Sequence, residues 1–180
     1  PFLFGRGSEE AEALEAAGIP FEVVPGVTSP IAVAAYAGVS LTHRELASSV
    51  TFVSATKRDG SLFDFAELRA LTGTVAVLMG VKKLPEIARA MIDRGGRAGT
   101  TPATVVERAS TPRQRVVTGT LADIAERAAA ERIEAPATIV VGAVAGLRDR
   151  LSWFDAMPLF GKRVLVTRAE HQAGKASALL

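Results

Sequence analysis

The residues best placed for ligand chemistry lie in Phe21 to Gly38, FEVVPGVTSPIAVAAYAG. Thr28 and Ser29 put two hydroxyls immediately before Pro30, where a helix can begin, so they stand beside the free N–H groups of a first helical turn. Hydroxyls and N–H groups so placed can exchange hydrogen bonds with the polar atoms of a small molecule. The elements that must hold them are legible on both sides. Phe21, Val23 and Val24 form a short apolar, β-prone run, Pro25-Gly26 marks a turn, and Ala32 to Ala37 run helically to a stop at Gly38. This predicts a buried strand, a tight turn and a helix, the arrangement with which open α/β sheets bind ligands. The same unit also serves as plain scaffold, Ser29 capping the helix and Pro30 occupying its first position.

A second candidate is Gly5-Arg6-Gly7-Ser8, two glycines that let backbone approach a ligand. A lone GxG is a weak signal, and Glu9, Glu10 and Glu12 in the helix that follows oppose a phosphate there while complementing the helix dipole, with Ser8 as the expected cap. The sequence has no cysteine, which excludes thiolate nucleophiles, disulfides and thiolate zinc sites, and its two histidines make a multi-histidine metal site an unsuitable expectation. Basic and acidic residues are interspersed, the net charge is +2 and aromatics are 6% of residues, so neither a basic stripe nor a stacking platform for nucleic acid is present. No apolar run reaches the length of a membrane span, the longest being Ile139 to Leu147 with its flanks. PFLFGRGSEE lacks the charged start and apolar core of a signal peptide, and the chain lacks an initiator methionine.

At 180 residues and 48% hydrophobic content the chain can bury a substantial core. Phe2-Leu3-Phe4 reads as a strand end or loop entry, and Glu9 to Ala17 as a helix stopped by Gly18. GVSLTHRE, Gly38 to Glu45, is a polar connector carrying His43 and Arg44. Strands are expected at Ser49 to Ala55, Thr74 to Met79 and Ala137 to Val144. Thr101 to Arg108 and Arg115 to Thr118 read as a hairpin or bent antiparallel pair. Helices are expected at Phe63 to Leu71, Leu84 to Arg94 and from Thr120-Asp123 through Glu131. Alternating strands and helices make the class α/β. LRDRLSWFDAMPL, Leu147 to Leu159, breaks this rhythm and reads as a linker packing back on the preceding lobe. Lys162 to Thr167 (KRVLVT) and Glu170 to Leu180 then read as a strand and first helix of a further domain.

Five separated segments, PFLFGRGSEE, VVPGVTSP, AAYAGVSLTHR, VLMG and TPATVVERASTPRQRVVTGTL, resemble the uroporphyrinogen-III C-methyltransferases in order and spacing across about residues 1–153. The tail FGKRVLVTRAEHQAGKASALL resembles the opening of uroporphyrinogen-III synthase, a domain order found in fused tetrapyrrole-pathway enzymes. The resemblance implies a two-lobed α/β tetrapyrrole methyltransferase fold with its first lobe incomplete. The implied division is 1–46 for the rest of the first lobe, 47–147 for the second, 148–160 for a linker and 161–180 for the synthase-like start. It implies S-adenosylmethionine in the cleft between lobes and two C-methylations of uroporphyrinogen III to precorrin-2, toward sirohaem or cobalamin. It also implies a cytoplasmic homodimer with no nucleic-acid or membrane partner.

Carried over by position, the family's cofactor contacts fall on Leu3, Thr28, Ser29, Met79 and Ala109. Leu3 and Met79 offer apolar surface, Thr28 and Ser29 polar groups, and the small Ala109 leaves room and exposes backbone. Read without the resemblance, Leu3 and Met79 are core, Thr28 and Ser29 a helix cap and Ala109 a turn residue. The family's glycine-rich loop and its acid and base residues correspond to positions upstream of Pro1, so the catalytic residues are unknown here and the chain is expected to carry binding residues without the full catalytic set. A substrate with eight carboxylates calls for arginines at the cleft rim, and Arg6, Arg44 and Arg113 are the candidates. The alternatives are a methyltransferase of the same fold acting on another precorrin, the synthase activity of a fused parent, and a non-catalytic nucleotide- or anion-binding α/β module.

Overall fold

The computed structural model describes residues 1–179, so the expected helix end at Leu180 lies outside the described residues. In chain order the elements are α1 (Gly7–Ala16), α2 (Ser29–Ala37), β1 (Val50–Ser54), β2 (Thr74–Leu78), α3 (Leu84–Asp93), β3 (Pro102–Glu107), β4 (Arg115–Thr120), α4 (Ile124–Ala130), β5 (Ala137–Val141), α5 (Arg148–Leu151) and α6 (Glu170–Leu179). The strands form one five-stranded sheet in the order β1-β2-β5-β3-β4. β1 and β2 are parallel, while β5 runs antiparallel to both β2 and β3, and β3 and β4 form the antiparallel hairpin read from TPATVVER and its sequel.

Strand alternation sends side chains to two faces. Val53, Val75, Val77, Val105, Ile139 and Val141 pack with Phe65, Ile87, Met91 and Ile124 on one face, beneath α3 and α4. Val106 and Val140 point to the other face, where Val33 and Ala37 of α2 meet Val39 and Ala145. Burying each such Val, Ile or Phe contributes about 1.5–3 kcal/mol, so sheet and helices hold each other through these two clusters. The segment expected as a helix from Phe63 to Leu71 is a single 3-10 turn, Phe65–Leu68, started by the Asp64 carboxylate accepting from Ala66 N. The turn ends at Leu68 with Arg69 as its C-cap, and β2 begins at Thr74.

Several expectations are corrected. Phe21 to Val24 is not a strand: the run is extended but unpaired, with Val24 80% exposed, because strand propensity is realised only against a partner and none among the described strands lies beside it. Lys162 to Thr167 is likewise no strand, and Leu165 is 85% exposed. Of the two readings of Phe2 to Phe4, strand end or loop entry, the structure has the loop. Ser8 does not cap α1, since the helix already begins at Gly7 with Arg6 before it. The N-cap of α2 is Thr28 and not Ser29, which is its first helical residue, and neither hydroxyl makes a capping bond. Gly38 does end α2 in the left-handed conformation, φ 65°.

The turn into α4 carries a testable electrostatic feature. Asp123 accepts from Thr120 N at 2.6 Å and Thr120 Oγ1 at 3.0 Å, and its other oxygen accepts from Arg127 Nε at 2.6 Å. The Thr120 N–H, followed by Arg127, holds this carboxyl below the usual aspartate range. A carboxyl lowered in the folded state contributes stability above its unfolded pKa of about 3.9 and loses it as pH falls through the lower folded value. Asp123→Asn should therefore show a smaller fall in urea midpoint between pH 5 and pH 2 than the parent chain, and an equal fall would remove Asp123 from acid sensitivity.

Candidate functional site

Register alone builds one edge of the site. Thr138 of β5 stands opposite Leu78 of β2 and opposite Val106 of β3, so the carboxyl ends of β2 and β3 flank the start of β5 in one row. Beyond that row the chain leaves the sheet at Met79 and at Arg108, and the first turn of α2 overhangs it. A cleft of about 1050 Å³ opens there, lined by Ser29, Ala32 and Val33 from α2, Leu78 and Met79 at the end of β2, and Val106 and Arg108 through Arg113 around the end of β3. Ala135 to Thr138 form its remaining wall, and the Ala135–Pro136 peptide is cis. Its lining is mainly apolar, with polar and cationic groups at the rim, the composition of a small-molecule site.

Of the expected residues, Ser29, Met79, Ala109 and Arg113 meet in this cleft, although 84 positions separate Ser29 from Arg113 in the chain. Ala109 also packs against the Val33–Val106 cluster. Leu3 and Thr28 lie outside it and line a smaller adjoining groove of about 510 Å³ with Phe2, Val23 and Pro25; Val27 borders both spaces. Arg6 and Arg44 border neither. Arg6 is paired with Glu9 at 2.5 Å on the exposed face of α1, an ion pair that raises its pKa through the Glu9 hydrogen bond. Arg44 sits in the turn closed by His43 O and Ala47 N. Long exposed cations look alike in a sequence, and only the fold separates those that face the cleft.

Two cleft cations escaped the sequence reading, Lys82 and Arg108. Lys82 follows the strand-glycine turn VLMG, the same strand-turn-helix signal used at Phe21 to Gly38, and could have been found that way. Arg108 bears on Glu107, a 6% exposed carboxylate at the end of β3, with Nε 3.5 Å from Oε1. Arg115 Nε lies 3.1 Å from the other oxygen as an ion pair without hydrogen-bond alignment, which leaves Oε2 unbonded.

Backbone conformation marks the same place. Met79 (φ 56°), Arg108 (φ 47°) and Ser110 (φ 64°) are non-glycine residues in the left-handed region, each costing about 1–3 kcal/mol unless the surroundings hold it. All three line the cleft. At Met79 the turn swings the side chain to 59% exposure while Gly80 behind it stays in the core, where an added Cβ would stand 2.7 Å from Ile87 Cδ1. Arg108 N donates to Pro136 O at 3.0 Å, joining two walls. Among the described residues no group of three or more His, Asp or Glu side chains is gathered to hold a metal ion, and no helix is long and apolar enough to cross a membrane.

Comparison with known proteins bears on what such a cleft serves. A siroheme synthase of Azotobacter vinelandii is 48% identical over 157 residues, 86% of this chain and 33% of the relative. The porphyrin biosynthesis protein HemD of Ruminiclostridium josui is 41% identical over 176 residues, 97% of this chain and 35% of the relative. The chain thus spans about a third of the length of the curated relatives it matches. The crystal structure of uroporphyrin-III C-methyltransferase from Thermus thermophilus, complexed with S-adenosylhomocysteine, superposes with a TM-score of 0.69 at 40% identity, covering 82% of this chain and 64% of that one. Residues 1–125 match the Tetrapyrrole (Corrin/Porphyrin) Methylases. With the sheet, the cleft at its strand ends and these similarities in agreement, the chain belongs to the tetrapyrrole methylases.

Proposed function

We propose that this chain supplies the cofactor cleft of an S-adenosylmethionine-dependent C-methyltransferase acting on uroporphyrinogen III, forming precorrin-2 by way of precorrin-1. The observation that carries the reading is the convergence of Ser29, Met79, Ala109 and Arg113 on one cleft at the carboxyl ends of β2 and β3. The lining suits the group: Met79, Leu78 and Val33 offer apolar surface to an adenosine, Ser29 presents a hydroxyl, and Ala109 leaves backbone accessible. Leu3 and Thr28 contribute from the adjoining groove. When bound, S-adenosylmethionine supplies an electrophilic methyl carbon on a sulfonium sulfur.

The chain's part in the chemistry is alignment and exclusion of water, since attack by an electron-rich pyrrole carbon requires no nucleophilic side chain. Arg113, with Lys82 and Arg108, pairs with substrate carboxylates at the rim. We assign residues 1–46 and 47–147 to the two methyltransferase lobes, 148–160 to a linker and 161–180 to a following synthase-like unit, within a cytoplasmic homodimer. The siroheme synthase and Thermus methyltransferase relatives support uroporphyrinogen III over a later precorrin.

The test is calorimetric titration of S-adenosylhomocysteine into residues 1–180 and into the gene product that contains them, followed by turnover of uroporphyrinogen III and of later precorrins. Saturable one-to-one binding by the gene product and methylation of uroporphyrinogen III are expected. Absence of binding by both proteins overturns the cofactor assignment and leaves an anion-binding module. Binding with turnover of a later precorrin alone overturns the substrate.

A further inference from the structure

Two walls of the cleft are α2 and the loop from Arg108 to Arg113, and one buried side chain joins them. Gln114 is 4% exposed and lies just outside the cleft lining. Its Oε1 accepts from Ser110 N at 3.1 Å, and its Nε2 donates to Tyr36 O at 3.2 Å. Ser110 is, with Arg108, one of the loop's two left-handed residues, φ 64°, and Tyr36 belongs to the last turn of α2. The amide therefore satisfies a loop N–H and a helix-end carbonyl together, in a part-buried place between the two walls.

The carbonyls of that helix end are all engaged. Ala34 O accepts from the N–H groups of Gly38 and Val39, Ala35 O from Trp153 Nε1 at 2.8 Å, Tyr36 O from Gln114 and Ala37 O from Arg148. Trp153 and Arg148 come from the segment after the sheet and fix α2 to the body of the protein. Gln114 alone of these three side chains reaches the cleft loop. Within the loop, Thr111 Oγ1 donates to Arg108 O at 2.8 Å and accepts from Arg113 N at 3.2 Å. The loop is thus internally tied as a unit, and the Gln114 amide connects that unit to α2.

We propose that Gln114 is a positioning residue for the cleft: it sets the spacing between Ser29 and Val33 on one wall and Ala109 and Ser110 on the other, and so determines affinity for the ligand without touching it. This rests on the reading that the cleft holds S-adenosylmethionine. Without the bridge, the loop samples conformations in which Ala109 and Ser110 are displaced, and apparent affinity falls by the fraction that remains competent.

The experiment is titration of S-adenosylhomocysteine at pH 8 into the wild-type gene product and its Gln114→Met and Gln114→Glu variants. Met matches the shape and removes both bonds; Glu keeps an acceptor for Ser110 N but, ionised, cannot donate to Tyr36 O. For both, Kd should rise about tenfold, corresponding to a competent loop fraction of about one tenth, with binding stoichiometry unchanged. A residue that only stabilises the fold would lower the stoichiometry, the folded fraction, and leave Kd alone; that result overturns the proposal, as does a wild-type Kd in either folded variant. Should the Met variant not fold, the Glu variant decides. Failure of the wild type itself to bind instead refutes the cofactor reading.

Discussion

Met79→Asp is expected to abolish S-adenosylhomocysteine binding, raising Kd more than about a hundredfold, about 2.7 kcal/mol, while leaving the folded state as stable as before. The backbone at Met79 is left-handed, φ 56°, a conformation that aspartate adopts more readily than methionine, so the substitution relieves local cost. The side chain is 59% exposed and contributes nothing to the buried clusters, so folding does not depend on it. A bound ligand changes that balance: the cleft floor at Leu78 and Met79 becomes dry, and a carboxylate there loses its water against an apolar ligand surface. Met79→Asn separates the two contributions. It keeps the left-handed preference without the charge and should weaken binding only about tenfold, about 1.4 kcal/mol. Calorimetry with a parallel thermal melt reads both quantities. Wild-type affinity in the Asp variant would remove Met79 from the site, and an unfolded Asp variant would contradict the conformational account.

Gly38→Ala should give the largest loss of stability, more than about 3 kcal/mol, from two independent causes. The first is local: Gly38 has φ 65° and ψ 34°, where a Cβ costs about 1–2 kcal/mol. The second is tertiary, since the added Cβ would stand 2.4 Å from Leu151 O, 2.6 Å from Leu151 C and 2.9 Å from Ser152 N. All three are backbone atoms, so no rotamer change relieves the clash and the 148–154 segment must move away from α2. With it go the Trp153 bond to Ala35 O, the Arg148 bond to Ala37 O and the packing of Tyr36 against Trp153 and Phe154, ring centroids 5.8 and 4.9 Å apart. Near-ultraviolet circular dichroism reports this packing through the single tryptophan, and urea denaturation reports the stability. A variant with an unaltered aromatic signal and a midpoint within about 0.5 kcal/mol of the parent would show that the segment does not brace α2.

The segment 148–160 illustrates how far local chemistry carries. Its break from the alternation of strands and helices reads as a linker packing back on the preceding lobe, whereas its aromatic pair Trp153-Phe154 meets Tyr36 of α2, in the segment expected to belong to the other lobe. The residue it packs against was not legible, because an apolar side chain specifies burial and not a partner. Arg6 and Arg44 show the same limit for charge: each was a reasonable rim cation by type, yet Arg6 is spent on Glu9 and both lie away from the cleft.

By itself the sequence determined what depends on neighbours along the chain. The apolar runs at Val50–Ser54, Thr74–Leu78, Pro102–Glu107 and Ala137–Val141 became strands, the turn between Glu107 and Arg115 closed a hairpin, and Gly38 ended its helix in the one conformation that favours glycine. Tertiary structure decided whatever needs a second body. Phe21 to Val24 has the composition of a strand and no partner among the described residues, so it is unpaired there, while Thr138 lies between Leu78 and Val106 only because β5 inserts between β2 and β3. That insertion, a matter of register and strand order, brings Ser29, Met79, Ala109 and Arg113 together across the length of the chain. Propensity acts over a few residues, whereas a site is a meeting of strand ends that only the closed sheet defines.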